Sequence, residues 1–482
     1  MKRSIFSIKY LLFLITVFIF CVTSYYAFKI VQYKTYIWMP DFYFRSRSND
    51  FEKINNGHVF FMIADHHEPS GRGLKGAENS KLWCDNFKKT FEGIKDDFGN
   101  NIQWSWFYPY DHKNKLVVFN LNELVYGGWG EIEFQWHHGP DTNETLPSKL
   151  VDAIAWFNHL GCMLSTGKNP KSNFGFVHGN WSLDNSRENN KWCGVTRELD
   201  ILKKNGCYAD FTFATFGTKA QPSKINSIYY AKDTDESKSY NNGIDAQVGL
   251  KNNDFLIFQG PITFDWHNFE FDCAALETTS LPQKHRIKNW LKHAPIVKGR
   301  PEWVFLKTYS HAFQSQHEVI SEQFKEMLFE LKRVCKEKKL SLHFVTAREA
   351  YNMVKAAEAG HNGNPELYRD FLIKKPVNRV MSVSSKIKNI TVRDDEIGFE
   401  MVEAQSTSFL FKMGPIKAIE GFIKKYKYYK DGSRNIVLIE GKGIKITSID
   451  KIHIINGKNT DTVKSSGEYQ YIISSVTEEI SQ

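Results

Sequence analysis

Two short stretches concentrate the side chains that could do chemistry. "DHHEP", Asp65 to Pro69, places two carboxylates and two imidazoles side by side, and "QWHHGPD" adds His137, His138 and Asp141. A mixture of imidazole and carboxylate donors suits zinc or a harder first-row divalent metal with one position left for water. Such an ion makes that water a nucleophile near neutral pH and polarises a carbonyl. In that scheme Asp65 is the candidate general base, and His311 is the candidate acid that protonates the leaving group. Strand alternation sends Asp65 and His67 to one side of the chain and His66 and Glu68 to the other.

Two rival chemistries start from the same residues. A Ser or Cys nucleophile finds little support, since no GxSxG elbow is present, although Cys193 in "KWCGVTRELD" begins a helix where a thiolate is stabilised. A two-acid glycosidase needs carboxylates flanking the bond, for which Asp65 and Asp210 are the candidates. Neither HExxH nor a clean His-x-His occurs, so the metal reading rests on segments that the fold must bring together.

The elements that position these groups follow from a repeating pattern. Eight apolar runs end in polar residues: "HVFFMIADHHEP", "NIQWSWFYPYD", "EIEFQWHHGPD", "FGFVHGNWSLD", "ADFTFATFG", "DFLIFQGPITFD", "WVFLKTYSHAF" and "LSLHFVTARE". Between several of them lie stretches with apolar residues at spacings of three and four, such as "SKLWCDNFKKTFEGIKDDFG" and "SEQFKEMLFELKRVCKEKKL". Buried strands alternating with amphipathic helices predict a parallel sheet, and eight runs without a glycine-rich phosphate loop predict a distorted (β/α) barrel over residues 50–375. Its strand ends would gather Asp65 to Glu68, Asp111, His112, His137, His138, His178 and His311 at one face. A helix over Thr346 to Gly360, with a Thr cap and a terminal Gly, closes the repeat.

The two ends of the chain differ from this body. No charged residue interrupts "YLLFLITVFIFCVTSYYAF", Tyr10 to Phe28, and Lys2, Arg3 and Lys9 precede it. That length spans a bilayer, and the lack of a small-residue cleavage pattern favours a retained anchor over residues 1–36, with the bulk outside the cytoplasmic membrane. Residues 378–482 read as short alternating β-branched runs between turns, a small all-β module of sandwich type. Aromatics make up 15% of the chain, which excludes disorder for most of it, and the net charge of +9 comes without a nucleic-acid signature. The seven cysteines contain no CxxC pair and read as core thiols, with Cys193 and Cys207 able to pair if the body is exported.

The ordered set "ADHHEP", "GEIEFQWHHGPDTNETL", "FGFVHGNWSLDNS", "WCGVTRELDILKKNGCYADFTF", "NSIYYAKD", "FQGPITFDW", "GRPEWVFLKTYSHAF" and "LHFVTAREAYNMVKAAEAG" resembles bacterial proteins related to polysaccharide deacetylases, in the glycoside hydrolase/deacetylase barrel superfamily. The resemblance covers roughly residues 58 to 371. It implies a seven- or eight-stranded distorted barrel and metal-dependent removal of acyl groups from an amino sugar or polysaccharide. Asp65 matches the base, and His311 matches the histidine that assists the leaving group. His66 stands where a second acidic ligand is expected, and His137 and His138 match the metal-holding histidines, so His66, His137 and His138 are the expected ligands of a divalent metal, zinc first. His67, Glu68, Asp141, His178 and Asp210 are the expected substrate contacts. Gln135 and Tyr309 stand where the family pattern carries histidines, which leaves a non-catalytic polysaccharide-binding relative as the alternative.

Overall fold

A computed structural model describes residues 2–44, 51–54, 56–160, 162–163 and 172–375, together with strands between 387 and 475. The chain opens with helix α1, Lys2–Gln32, of which Ile8–Gln32 is long and apolar enough to cross a membrane, with its side chains exposed along the span. The segment after it docks on the body. Trp38 is fully buried, with its ring edge-on to Phe271 at 4.9 Å, and Asp41 Oδ2 accepts from the Ile225 amide at 2.8 Å.

All eight apolar runs contain strands. They are β1 (His58–His66), β2 (Trp104–Pro109), β3 (Gly130–Trp136), β4 (Phe174–His178), β5 (Cys207–Asp210), β6 (Phe255–Phe258), β7 (Arg300–Ser310) and β8 (Ser341–Phe344). All eight pair in parallel, seven of them in the order β7-β1-β2-β3-β4-β5-β6 and β8 against β1. β7 runs along β1 from His58 to Asp65, while β8 and β2 share its other edge at His58–Phe61 and Ala64–His66. Helices α2 (Gly73–Phe91), α3 (Lys115–Tyr126), α4 (Leu146–His159) and α5 (Glu198–Lys204) connect the first five strands in turn. α6 (Arg286–His293) precedes β7, α7 (Glu322–Glu337) joins β7 to β8, and α8 (Ala347–Glu358) follows β8. The predicted last helix carries a full capping box, with Thr346 and Glu349 each binding the other's backbone N–H.

Both faces of the sheet are covered, so its strands read as continuous apolar runs. On β1, Val59, Phe61 and Ile63 join the helix-side core with Trp83 and Phe87, whereas Phe60, Met62 and Ala64 join the opposite core with Phe107, Phe211, Phe258 and Phe305. The same alternation on β7 puts Val304 and Leu306 on the helix side and Trp303 and Phe305 on the other.

A closed barrel is the expectation that the sheet does not meet. Among the described residues no ladder joins β6 to β7; the two ends approach through an isolated bridge between Gln247 and Lys298, a contact of the Phe258 and Phe305 rings at 5.9 Å, and the Lys307 ammonium donating to the Phe213 carbonyl at 2.6 Å. The physical reason lies between β5 and β6. A short antiparallel insertion, Ile228–Ala231 with Ile244–Asp245, takes the free edge of β6 in place of a helical crossover. Beyond residue 386 the described strands form a separate seven-stranded sheet, mostly antiparallel. All the described cysteines are free, Cys193 and Cys207 among them.

One buried ion pair fixes α8 to the sheet. The Arg348 guanidinium donates to both oxygens of Glu131 on β3, at 2.9 and 2.8 Å, with both side chains about 2% exposed. Burial alone would push the Glu131 carboxyl up, and Arg348 reverses this and holds it below its ordinary range. Arg348→Ala strands that carboxylate in the interior, so urea unfolding of the detergent-solubilised chain should show a loss of about 3–5 kcal/mol.

Candidate metal centres at the strand ends

Alternation continues past the last strand residues and divides the predicted site in two. Asp65 follows Ile63 to the helix side, where it is fully buried: Oδ1 accepts from the Ser310 hydroxyl and the Ala312 amide, both at 2.7 Å, and Oδ2 takes Nδ1 of His67 at 3.0 Å. The His67 ring packs edge-on against Trp83. Asp65 therefore ties the end of β1 to the end of β7, and His67 is part of that seam, away from the position of a substrate contact.

His66 and Glu68 take the opposite side and meet His311, with donor atoms of all three within 4.8 Å of one another. Each is oriented by neighbours. His311 Nδ1 donates to Glu277 at 2.6 Å, which leaves Nε2 for a ligand. Glu68 Oε1 accepts from the Gln135 amide and from His137 Nε2 at 3.2 Å, and Gln314 reaches Oε2 at 3.4 Å. His137 Nδ1 donates to Asp111 at 3.1 Å, and Asp111 also accepts the His137 amide. The group is partly open, with about a fifth of the Glu68 and His311 side chains exposed.

The charge states suit a cation. Burial pushes His66 well below its ordinary range, so it presents a lone pair, whereas Glu277 holds His311 above its own, so a cation there would displace the His311 Nε2 proton. Burial would raise Glu68, but His137 and the surrounding imidazoles bring it down to about 2. Burial also opposes a charge on His137, yet Asp111 and Glu68 raise it to about 10. His137 stands beside the three donors and outside their group, 3.2 Å from Glu68 and 3.1 Å from Asp111. Two imidazoles and a carboxylate with an open side could hold a metal ion.

His138 turns the other way, with Trp136, and does not join His66 and His137. It belongs to a second, fully enclosed group with His178, Cys193 and Glu198, whose donor atoms also lie within 4.8 Å of one another and which could hold a metal ion. Asp141, an expected substrate contact, instead receives His138 Nδ1 at 3.1 Å and is itself held by Lys149 at 2.5 Å. His178 lies inside this group and makes no surface. Asp210 is buried at the end of β5, accepting from the Thr212 amide and hydroxyl, and burial pushes its carboxyl up to about 7.

Tyr309, where the resemblance expects a histidine, engages the Cys273 thiol at 3.2 Å. Beside Asp111 a cleft of about 550 Å³ is bordered by Arg72, Tyr108, His112 and Asn114, and another of about 450 Å³ by Tyr110, Trp136, Lys149 and Asp152. Glu277 and Gln314 escaped the sequence reading because each lies in a loop with no motif around it, and Glu198 because it opens a helix as an ordinary first-turn acid.

The His137 imidazolium carries a pH signature. A histidine whose pKa is higher in the folded chain stabilises fully below the unfolded value, 6.5, and ceases to do so as pH rises through about 10. In chelator-treated protein, the stability difference between wild type and His137→Gln should be constant between pH 4.5, the unfolded value of Glu68, and pH 6.5, and shrink between there and pH 10, as followed by urea unfolding. The chain matches no family model, and no curated protein matches it.

Proposed function

We propose that this chain is a membrane-anchored, metal-dependent hydrolase of the deacetylase type, acting on acyl groups of a cell-surface polysaccharide or its amino-sugar precursor. The observation that carries the proposal is the open triad of His66, Glu68 and His311 at the ends of β1 and β7. In this reading the incompletely paired sheet is a distorted barrel whose catalytic face is the one at the carboxyl ends of its strands. The α1 helix anchors it with the amino terminus inside and the body on the outer side.

His66, Glu68 and His311 would hold the divalent ion, zinc by its preference for such donors. When bound, the ion activates water and polarises the acyl carbonyl. The remaining steps belong to the protein. Glu277 fixes the tautomer and direction of His311. His137, kept protonated between Asp111 and Glu68, is placed to give its proton to the departing amine, the role first expected of His311. Asp65 positions the site by tying β1 to β7, since its hydrogen bonds already occupy both oxygens. The clefts beside Asp111, one with Tyr108 at its wall and the other with Tyr110 and Trp136, suit a sugar ring stacked on an aromatic face with its hydroxyls on charged neighbours.

One observation favours the non-catalytic alternative. Gln135 and His137 both engage Oε1 of Glu68, which leaves that carboxylate held by protein partners, and Gln135 replaces an expected histidine. Purified full-length protein distinguishes the two. Catalysis predicts acetate released from an acetylated amino-sugar polymer, with Glu68→Gln and His311→Ala each lowering the rate by at least about 100-fold and His137→Gln by a similar order. Glycan binding with no metal dependence and no acetate from the wild type would select the binding protein instead.

A further inference from the structure

We propose that the enclosed group of His138, His178, Cys193 and Glu198 is a second, structural metal site, distinct from the open triad. It takes a divalent ion of zinc type, and it braces the loop between β4 and α5. The four donors come from the end of β3, the end of β4, the intervening loop and the first residue of α5, and all four residues are buried.

The donor atoms all lie within 4.8 Å of one another, close enough to converge on one ion. Bonds of about 2.0–2.3 Å at tetrahedral angles put ligand atoms roughly 3.3–3.8 Å apart. Here His138 Nε2 lies 2.9 Å from Glu198 Oε1, His178 Nε2 lies 3.8 Å from the same oxygen, and Cys193 Sγ lies 3.3 Å from Glu198 Oε2.

Each donor is also held from behind, as metal ligands are. His138 Nδ1 donates to Asp141 at 3.1 Å, and His178 Nδ1 donates to the Gly179 carbonyl, so each ring turns Nε2 toward the centre. Cys193 Sγ accepts from the Val195 amide at 3.4 Å, and Glu198 Oε2 accepts from the Asp184 amide at 2.6 Å. Nε2 of His178 is the unpartnered atom. It is fully buried, points into the group and has no hydrogen-bond partner, an arrangement that a hydrogen-bonded cluster alone leaves unexplained.

Charge balances as well. Binding replaces the Cys193 thiol proton with a metal–sulfur bond and releases that proton, together with any proton on His138 Nε2. One thiolate, one carboxylate and two neutral imidazoles then neutralise a divalent ion inside a site with no solvent. The loop so pinned touches the open triad: Gly179 lies against the His137 ring, where a Cβ would collide, and the Trp181 ring is 6.3 Å from that of His311. The loop bends through left-handed backbone at Asn180, Trp181, Asp184 and Asn185, a path that a fixed anchor at Cys193 and Glu198 would hold in place.

The test uses full-length protein in detergent, with Glu68→Gln as a background that disables the open triad. Loaded with cobalt(II), this background should show a thiolate-to-cobalt charge-transfer band, retain about one metal equivalent after gel filtration, and lose thermal stability when chelated. Cys193→Ser in the same background should lose the band and that equivalent. His178→Ala should weaken retention while leaving Cys193 available. Absence of the band from cobalt-loaded Glu68→Gln protein overturns the proposal, as does unchanged metal retention in the double variant. Neither result touches the open triad, whose own failure would appear as a missing equivalent in wild type with the thiolate band intact.

Discussion

A strand has only two faces, and in a sheet covered on both sides every residue near a strand end must be committed to one of them. That constraint governs this molecule. On β1 it sends Asp65 and His67 to the helix side and His66 and Glu68 to the other, and on β7 it sends Ser310 and Ala312 toward Asp65 while His311 meets His66. On β3 it separates two adjacent histidines into different environments. His137 lies between two carboxylates, and His138 becomes one wall of an enclosed nitrogen, sulfur and oxygen cage. A shift of one residue in either register would exchange these contents completely.

The seam between β1 and β7 makes the arrangement rigid. Asp65 accepts three hydrogen bonds, two of them from the end of β7, so the strand ends that carry His66 and His311 move as one unit. Around this unit stand orienting carboxylates: Glu277 behind His311, Asp111 behind His137, and Asp141 behind His138. Each uses one imidazole nitrogen and leaves the other directed inward. The two groups differ in access. The open triad has three donors and a partly exposed side, whereas the enclosed group has four donors and all four residues buried.

Much of the body was legible in the chain because parallel strands buried on both faces leave uninterrupted apolar runs, and all eight runs hold strands. The α8 helix was legible for a local reason, since Thr346 and Glu349 cap it within one turn. The insertion at Ile228–Ala231 and Ile244–Asp245 was not anticipated: such short strands carry too little pattern to stand out, and they leave the sheet without the expected closing ladder. Glu277 and Glu198 were equally hidden, because their significance is set by contacts with residues 34 and 60 positions away.

By itself, then, the sequence determined the membrane-length helix, the eight strands, the clustering of imidazoles and carboxylates at their ends, and the alternation that parts His66 from His67. These are local properties of period and composition. The tertiary structure alone decided which ends meet, because neighbour relations in a parallel sheet depend on long-range pairing that no short segment encodes. It therefore decided that Asp65 is bound on both oxygens, that His311 joins His66 and Glu68, and that His138 leaves its neighbour to face His178, Cys193 and Glu198.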